Sequence, residues 1–489
     1  MRREQISSGF PLLRIVGSLS VDEDARIEEG PTAAELARHS FDRGRFFARF
    51  ARSAGCGPPV PAGFSHEMRG RSPLRWLRIF GPGIVTGASD DDPSGIATYS
   101  QAGAQFGVGL LWTMALTYPL MAAIQEVSAR VGRVTGHGLA ANLKRAYPRW
   151  VLYLFVGMLV IANTINIGAD IGAMGAAAQL LGGGSVLAWA ALFSGISLVL
   201  QIRMRYGSYA RVLLVLTASL LAYVAAAAVV NVHWGEALWS TVAPSLRFDA
   251  ASLSMIVAVF GTTISPYLFF WQASQEVEDE EADPGARPLL RAPWQARWQL
   301  FRLRVDTLVG MAASNLIAWF IMLTTAFTLH ASGIHDIDSA AQAAAALTPI
   351  AGRFAGLVFA AGIIGTGLLA VPVLAGSASY AAAEAFDCPV GLDCKPGEAK
   401  LFYGVIAGST IAGFALTLTR INPMKALIYS AVINGVVAVP VMVMIMVLGT
   451  NKALLRDFVL PPVLRFLGWT ATLVMLAAAI AMIATLGRG

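Results

Sequence analysis

The chain has 489 residues, of which 56% are hydrophobic and only 13% are charged, and its net charge is +6. Soluble domains are about 25% charged, and a mean hydropathy of +0.61 leaves too little polar surface to cover several soluble domains. This composition excludes a soluble enzyme, a disordered chain and a disulfide scaffold. Apolar runs of about 20 residues, each long enough for roughly 30 Å of hydrocarbon, predict membrane-spanning helices rather than the alternating strands of a barrel.

The cysteines and the basic residues point to no special chemistry. Cys56, Cys388 and Cys394 lack the spacing of a zinc or redox pair, and we interpret them as reduced thiols. No cluster of basic and aromatic residues indicates binding to nucleic acid. No apolar run follows Arg2 and Arg3, so a signal peptide is not predicted.

Residues 1–75 differ in composition from the rest of the chain, with 12 arginines and nine carboxylates. We interpret them as a cytosolic N-terminal tail in which residues 32–54 form a helix. The mixture of phenylalanine and arginine in that helix fits a location on the anionic inner leaflet, but a mobile cytosolic tail is the favoured interpretation. Met68 lies shortly before the first apolar run, so it is a second candidate for the start of translation.

The rest of the chain, 76–489, is predicted to be a membrane domain with eleven spans. If the N-terminus is cytosolic, lysines and arginines on the inner side outnumber those on the outer side by eighteen to five, as the positive-inside rule expects. The sequence therefore predicts a multi-pass protein of the inner (plasma) membrane, with the N-terminus in the cytoplasm and the C-terminus outside. The predicted spans are 80–105, 108–131, 150–173, 185–202, 210–232, 253–276, 305–330, 354–385, 401–419, 425–449 and 466–487.

Two of these spans carry a helix break in the middle. Span one contains three consecutive aspartates ending at Asp92, followed by Pro93, and span six contains Pro266. Each proline removes a helix hydrogen bond, and non-helical backbone at membrane depth is stable only where it lines a cavity or is buried in protein. Breaks that lie five spans apart, in helices of opposite direction, predict an inverted five-plus-five repeat with a site between them. The predicted repeats cover about 80–232 and 253–449, and 466–487 is an extra helix.

Asp92 is the residue that we expect to bind a cation. An ionised carboxylate at mid-membrane costs several kcal/mol unless it is hydrated, paired or bound to a metal. One aspartate can cap the half-helix that begins near Ser94, but three in a row exceed what a cap requires. Since neighbours on a helix differ by about 100° in direction, we assign Asp92 as the ligand and interpret Asp90 and Asp91 as vestibule or packing charges.

Three segments resemble the Nramp family of divalent-metal transporters. The stretch GASDDDPSGIATYSQAG around Asp92 is similar to that family's first-helix segment, whose core is Asp-Pro-Gly-Asn. SARVGRVTGHGL, from Ser128 to Leu139, is similar to its second-helix exit, and NIGADIGAMGAAAQLL, from Asn166 to Leu181, to its third helix. The similarity runs patchily over about 80–450. It implies a LeuT-like fold of eleven or twelve helices. An enzyme is not predicted, because the sequence has no nucleophile–base pair or phosphate loop, and no resident cofactor is expected.

The resemblance also implies a metal site, in which this chain departs from the family. The site would consist of Asp92, the backbone carbonyls of Ser89 and Thr262, and positions where the family's asparagine and methionine fall on Gly95 and Ser265. Thioethers favour softer transition metals, whereas carboxylate, carbonyl and water favour Mg²⁺, Ca²⁺ or Mn²⁺. A roomier site made of oxygen atoms suits Mg²⁺, which keeps several waters. These changes resemble the Nramp-related magnesium transporter branch.

The residues that the family associates with proton movement are altered as well. Asp170 is kept, whereas the family's glutamate falls on Ala173 and its histidine on Tyr267. Tyrosine is a poor proton relay at neutral pH, so the resemblance implies weak or absent proton coupling, and Asp170 is either a functional or a structural acid. Several polar residues are candidates for the vestibule or outer shell of the site, although each can instead serve interhelical hydrogen bonding. They are Asp91, Tyr267, Gln272, Asn434, Asp170 and Glu126.

The leading functional prediction is a transporter of divalent metal cations, mainly Mg²⁺ with Mn²⁺ tolerated, bound partly hydrated between helices one and six. A proton-coupled Mn²⁺/Fe²⁺ importer is the first alternative. An organic-solute carrier of the same fold is the second, although such carriers tend not to place an anion like Asp92 against a substrate carboxylate. A membrane sensor is disfavoured because only the 75-residue tail could serve as an output domain. The expected partners are the metal ion and the lipid bilayer, without nucleic acid, and the sequence does not define the oligomeric state.

Overall fold

The computed structural model describes residues 81–203, 218–392, 394–419 and 421–486, which all fall within one compact unit. These residues form α-helices joined by short 3-10 turns and loops, and no β-strand occurs among them. The prediction of an all-helical chain is therefore confirmed. The predicted helix at 32–54 lies outside the described residues.

The first predicted span is divided into two helices, α1 (Pro82–Asp90) and α2 (Pro93–Phe106). The backbone of Asp92 is extended, with φ −70° and ψ 171°, because it stands directly before the proline that begins α2. The Asp92 side chain accepts a hydrogen bond from the backbone N–H of Gly95 and so caps α2. The predicted break is present at the predicted place.

Six helices follow in the described residues before the second break. A 3-10 turn, Gly107–Leu110, leads from α2 into the next helix with a bend of 108°. Gly107 has a φ of +58°, a backbone conformation that residues other than glycine rarely adopt. The six helices are α3 (Trp112–Thr135), α4 (Leu139–Ala146), α5 (Arg149–Gly182), α6 (Val186–Arg203), α7 (Leu221–Val229) and α8 (Trp234–Val242).

The sixth predicted span is likewise divided, into α9 (Ala250–Thr263) and α10 (Pro266–Ala282). Asp249 caps the start of α9 by accepting a hydrogen bond of 2.9 Å from the Ser252 backbone N–H. Ser265 is extended, with φ −85° and ψ 129°, immediately before the proline that begins α10. Both broken spans therefore use the same local device, in which proline as the first helical residue forces an extended residue before it.

The remaining helices include two long ones. These two, α11 and α14, have 33 and 31 residues. The eight helices are α11 (Ala296–Thr328), α12 (Ala340–Ala345), α13 (Thr348–Ala351), α14 (Ala355–Ala385), α15 (Lys400–Leu416), α16 (Pro423–Thr450), α17 (Lys452–Leu455) and α18 (Pro462–Leu486).

Glycines bring backbones into direct contact beside both breaks. A Cβ atom on Gly87 in α1 would lie 2.3 Å from the Gly310 carbonyl oxygen in α11. A Cβ atom on Gly261 in α9 would lie 2.1 Å from the Ala431 carbonyl oxygen in α16. No side chain fits at either position, and this close approach is typical of helices that associate in membranes. The contacts fix the two broken helices against α11 and α16.

The predicted number of eleven spans is not confirmed. Seven helices in the described residues are long and apolar enough to cross a membrane, and eight are obtained if the bent pair of α2 and α3 counts as one span. The break leaves α1 and α2 with only 9 and 14 residues, and α15 has 17. Part of the predicted fifth span, at 204–217, lies outside the described residues.

Candidate metal-binding site

The Asp92 carboxylate lies in the interior of the helix bundle, with 1% of the residue exposed. Its Oδ1 accepts hydrogen bonds of 2.7 Å from the Ser94 hydroxyl and 2.7 Å from the Gly95 backbone N–H. Its Oδ2 accepts a hydrogen bond of 2.9 Å from the Asn166 amide in α5. Across the described residues, no lysine, arginine or histidine forms an ion pair with Asp92. The carboxylate is therefore oriented by neutral donors, and no described basic side chain compensates its negative charge, which is available to a cation.

The two helix breaks meet at Gly95. An added Cβ atom on Gly95 would lie 3.2 Å from the Thr262 hydroxyl at the end of α9 and 3.4 Å from the Asp90 carbonyl oxygen at the end of α1. It would also lie 3.2 Å from the ring of Tyr99. The structure thus brings Asp92, Gly95 and Thr262, three of the residues predicted for the site, into one neighbourhood. The absence of a side chain at Gly95 keeps the space between the breaks open.

Ser265 and Tyr267 both bind carbonyl groups at the ends of the broken helices. The Ser265 hydroxyl lies 2.8 Å from the Gly261 carbonyl oxygen and 2.9 Å from the Thr262 carbonyl oxygen, so it satisfies the end of α9. The Tyr267 hydroxyl donates a hydrogen bond of 3.2 Å to the Ser89 carbonyl oxygen. Each of these oxygen atoms keeps a lone pair, so the carbonyls of Ser89 and Thr262 remain possible ligands.

Asp170 and Asn434 place polar groups without hydrogen-bond partners in the interior. Both carboxylate oxygens of Asp170 and both amide atoms of Asn434 are buried and form no hydrogen bond with the described residues. Asp170 lies within electrostatic reach of Asp92 and faces the backbone N–H of Ser94 at longer range. Buried polar groups are nearly always satisfied by protein, water or ions. These two side chains therefore fit ordered water or a hydrated ion, and Asp170 is the one of the two that interacts with Asp92.

The Asp91 side chain bonds to α11. The Ser314 hydroxyl in α11 lies 3.1 Å from Asp91 Oδ1 and 2.7 Å from Asp90 Oδ2. Asp91 also lines a separate cavity of about 140 Å³ between α1 and α11, together with Gly310 and Leu220. The three consecutive aspartates are thus divided between two sides of the break. The side chains therefore do not face one point, and the Ser314 contacts fit the packing role predicted for Asp90 and Asp91. A vestibule role for Asp91 stays a prediction.

Gln272 and Glu126 also have partners elsewhere. The Gln272 amide donates a hydrogen bond of 2.8 Å to the Thr307 hydroxyl in α11. Glu126 forms an ion pair of 3.0 Å with Arg304 at the same end of α11. These contacts fit the alternative that the sequence left open for both residues, interhelical bonding, here with α11.

Two residues that contact the aspartates, Asn166 and Ser314, are not among those predicted for the site. The bond from Asn166 to Asp92 makes Asn166 part of the site. The available signal was its spacing, because Asn166 stands one turn before Asp170 on the same face of α5. Ser314 lies more than 200 positions from Asp90 in the chain and gave no signal in the sequence.

Acidic and basic side chains hold α1 and α10 at one end of α11. The Asp306 carboxylate accepts hydrogen bonds from the backbone N–H groups of Gly81, Gly83 and Ile84, at 2.9, 2.6 and 3.3 Å. Arg302, one turn earlier, pairs with Asp279 at 2.6 Å. These contacts satisfy the first turn of α1 and fix its position. Asp279 is one of five acidic residues between 276 and 281, at the end of the sixth predicted span and after it. This acidic segment is therefore at least partly paired.

The donors around Asp92 are of mixed type. Nowhere in the described part of the chain do three histidine, cysteine, aspartate or glutamate side chains converge as a metal cage. A cation at Asp92 would instead meet one carboxylate, hydroxyl and carbonyl oxygens, and water. Oxygen donors of this kind suit hard divalent ions such as Mg²⁺, Ca²⁺ and Mn²⁺.

Comparison with known proteins places the whole helical region in one family. A family model described as natural resistance-associated macrophage protein-like, or Nramp, matches residues 83–485. The divalent metal cation transporter MntH of Acidiphilium cryptum is 27% identical over 407 residues, which are 80% of this chain and 86% of the relative. The transporter of the same name from Erwinia tasmaniensis is 28% identical over 296 residues, covering 59% of this chain and 68% of the relative.

Solved structures share the fold. The manganese transporter of Eremococcus coleocola superimposes with a TM-score of 0.65 at 15% identity, covering 87% of this chain and 89% of that chain. MhsT in complex with L-phenylalanine gives a TM-score of 0.56 at 14% identity, covering 84% of this chain and 99% of that chain. The predicted LeuT-like fold is therefore confirmed. Since the family model spans most of the sequence, the chain belongs to the Nramp family.

Proposed function

We propose that the protein carries divalent metal cations across a membrane, with the cation bound at Asp92. The observation that supports this most strongly is a buried carboxylate that three neutral donors orient and no described basic residue neutralises, at the meeting point of two broken helices. An ionised carboxylate without a counter-charge costs several kcal/mol in a membrane interior. A transported cation removes that cost for part of the transport cycle.

Mn²⁺ is the first candidate for the cargo. The relatives at 27% and 28% identity are named divalent metal cation transporters, and Mn²⁺ accepts the carboxylate, carbonyl and water ligands that surround Asp92. The prediction from the sequence that Mg²⁺ is preferred finds no support in these comparisons. The proposal therefore gives Mn²⁺ precedence over the ion that the site residues alone favoured.

Mg²⁺ remains a second candidate because of two residues. Gly95 and Ser265 offer neither an amide nor a thioether, and the hydroxyl of Ser265 is bound to the end of α9. A site without soft ligands gives no preference for a transition metal over Mg²⁺. An ion that keeps several of its waters also requires the space that Gly95 leaves open.

Uptake by proteoliposomes tests the proposal and separates the candidates. Vesicles with the purified chain are loaded with indicator dyes for Mn²⁺ and Mg²⁺, and each ion is offered alone and in competition. We expect Mn²⁺ uptake that protein-free vesicles lack. Inhibition of this uptake by millimolar Mg²⁺, together with Mg²⁺ entry, would establish the second candidate.

An organic-solute carrier is the competing class, since MhsT shares the fold. The charge of Asp92 opposes binding of a substrate carboxylate at the same place. Labelled L-phenylalanine offered to the same vesicles should not accumulate. Accumulation of the amino acid without entry of either metal ion would reject metal transport.

The location in the inner (plasma) membrane is part of the proposal, as is the orientation with the N-terminus in the cytoplasm. The uneven distribution of lysine and arginine supports this orientation. A reporter enzyme that is active only outside the cytoplasm, fused after the C-terminal Gly489, should be active. An inactive reporter on a chain that still transports would reverse the orientation.

A further inference from the structure

A groove of about 440 Å³ lies along the start of the last helix, α18. It begins at Leu460 and Pro462 and continues along side chains from the first three turns of the helix, namely Arg465, Phe466, Trp469 and Leu473. At 3.6 residues per turn, these α18 positions share one face of the helix. The volume falls within the roughly 300–1,000 Å³ of pockets that hold small molecules. The Asp92 site uses none of these residues.

The opposite face of α18 packs against the helix bundle. A Cβ atom on Gly468 would lie 2.3 Å from the sulfur of Met446 in α16 and 3.4 Å from the side chain of Ile124 in α3. On the side of the groove, Phe466 is 70% exposed and Leu473 is 60% exposed. Because α18 is long and apolar enough to cross a membrane, we expect this exposed apolar face to contact lipid. The groove is therefore accessible to lipid molecules.

The groove carries an unbalanced positive charge. Among the described residues that line it, Arg465 alone is charged, and its exposed side chain takes part in no ion pair of the described part of the chain. The connection before α18 adds Lys452 and Arg456 against a single acid, Asp457. Because Arg465 belongs to the first turn of α18, this charge lies near one surface of the membrane, beside the apolar side chains of the groove.

An arginine beside an apolar groove with aromatic side chains fits an anionic lipid. A guanidinium binds a phosphate through two parallel hydrogen bonds, and hydrocarbon covers the apolar side chains. In the proposed orientation, this end of α18 is on the cytoplasmic side, whose leaflet carries anionic lipids. A second copy of the chain fits less well, because a two-fold contact brings the same face of both copies together, and Arg465 would then meet no acid among the described residues of the groove.

We propose that this groove binds one anionic phospholipid, such as phosphatidylglycerol, with its phosphate on Arg465 and an acyl chain against the neighbouring aromatic and leucine side chains. Arginine and tryptophan are typical of the membrane–water interface, and Trp469 stands one turn after Arg465 on the same face. The inner side of the groove is fixed, because the buried Leu460 packs against Gly449 in α16, where an added Cβ atom would lie 2.7 Å from it. The site is separate from Asp92, so lipid binding is measured without metal transport.

Lipid binding to the purified full chain tests the proposal. Native mass spectrometry measures the affinity for phosphatidylglycerol and for phosphatidylcholine with the same acyl chains. The wild type is compared with Arg465→Gln and with the control Arg353→Gln, which also removes an exposed arginine beside an exposed phenylalanine, Phe354. Because hydrogen bonds to charged groups are strong, Arg465→Gln should weaken phosphatidylglycerol binding about tenfold or more, whereas Arg353→Gln should keep the wild-type affinity. Equal phosphatidylglycerol affinities in the two variants would overturn the site.

A second measurement uses the unmodified protein, so it does not depend on the folding of a variant. Phosphatidylglycerol with a photoreactive acyl chain is added, and peptide mass spectrometry locates the crosslinks. We expect crosslinks at 460–473 that excess phosphatidylglycerol removes and excess phosphatidylcholine does not, whereas both lipids should compete equally at Leu316, an exposed position of α11. Equal competition at 460–473, or no crosslink there because a second copy covers this face, would reject the proposal. Neither measurement needs transport, so both remain informative if the proposed function at Asp92 fails.

Discussion

The Asp92 carboxylate is held by hydrogen bonds from two helices, α2 and α5. Its Oδ1 caps α2 through Ser94 and Gly95, while Oδ2 is held by Asn166 from α5. The cap fixes the carboxylate in direction, and the amide fixes its rotation. A ligand that is oriented before the ion arrives loses less conformational freedom on binding. The partner that orients a ligand is therefore expected to influence affinity without touching the ion.

Asn166→Ala should weaken Mn²⁺ binding by about 10- to 100-fold, the usual effect of removing an outer-shell partner. Asn163→Ala is the matched control, because Asn163 stands on the same helix and bonds instead to the Leu374 carbonyl and Ser377. Titration of both purified variants with Mn²⁺ measures the effect. Equal losses in the two variants would show that Asn166 acts only through helix packing.

Ser265→Met should raise the affinity for Cd²⁺, because a thioether adds a soft ligand beside Asp92. A gain of about 1.4 kcal/mol is a tenfold change in Kd. Ser265→Leu has similar bulk without sulfur, and it also removes the hydroxyl that binds the Gly261 carbonyl. Calorimetry should therefore show tighter Cd²⁺ binding in the methionine variant than in the leucine variant. The same Cd²⁺ affinity in both would place Ser265 outside the coordination sphere.

Asp92 could be predicted from the sequence because a carboxylate next to a proline in an apolar span is conspicuous by itself. The different directions in which the side chains of Asp90, Asp91 and Asp92 point could not be predicted. Asp90 and Asp91 turn to Ser314 and Asp92 turns to Asn166, and this depends on the rotation of each residue at a non-helical break. The partners of Gln272 and Glu126 could not be predicted either, because Thr307 and Arg304 lie on α11, far away in the sequence.

Among the helices, α1 is attached to α11 by hydrogen bonds at its first turn and by the close contact of Gly87. Asp306 accepts hydrogen bonds from three backbone N–H groups at the start of α1, and Gly87 lies directly on Gly310. Helices at a broken span move during transport if their contacts can be released. The Asp306 contacts are the polar part of this attachment.

Asp306→Ala should loosen α1, because it removes the acceptor from buried N–H groups at a cost of about 1–3 kcal/mol. A cysteine introduced by Val85→Cys, with the three native cysteines replaced by serine, reports the change through its labelling rate. We expect labelling to rise about tenfold or more. Thr307→Ala, which changes the next residue and its bond to Gln272, should have little effect, and similar rates in both variants would reject the role of Asp306.

The breaks were predictable as elements because Pro93 and Pro266 act locally, whatever surrounds them. The number of spans was harder to predict. A break leaves half-helices too short to count as spans, as in α1 and α2, and α15 has only 17 residues. Length and hydropathy therefore identify seven or eight spans, and the topology of eleven remains a prediction.

For the molecule as a whole, we expect metal uptake without stoichiometric proton movement. Ala173 and Tyr267 replace the acid and the histidine that the family resemblance associates with protons, and the Tyr267 hydroxyl is bound to the Ser89 carbonyl. His137, after α3, offers no substitute, since burial, reinforced by Arg145 and Arg291, lowers its pKa to about 4 and keeps it neutral at physiological pH. The internal pH of Mn²⁺-transporting liposomes, measured with a pH dye at zero voltage, should stay constant. Acidification in proportion to Mn²⁺ entry would favour the proton-coupled importer.

Mn²⁺ uptake by Asp92→Asn, compared with Asp249→Asn, tests most directly whether Asp92 binds the transported ion. Both aspartates cap a helix by accepting a backbone hydrogen bond, and asparagine is an equally good cap. The two variants therefore lose the same charge and keep a capping oxygen, and size exclusion checks that both remain folded. We expect Asp92→Asn to reduce Mn²⁺ uptake in proteoliposomes at least a hundredfold and Asp249→Asn to retain the wild-type rate. Wild-type Mn²⁺ uptake by folded Asp92→Asn would contradict the assignment of the site.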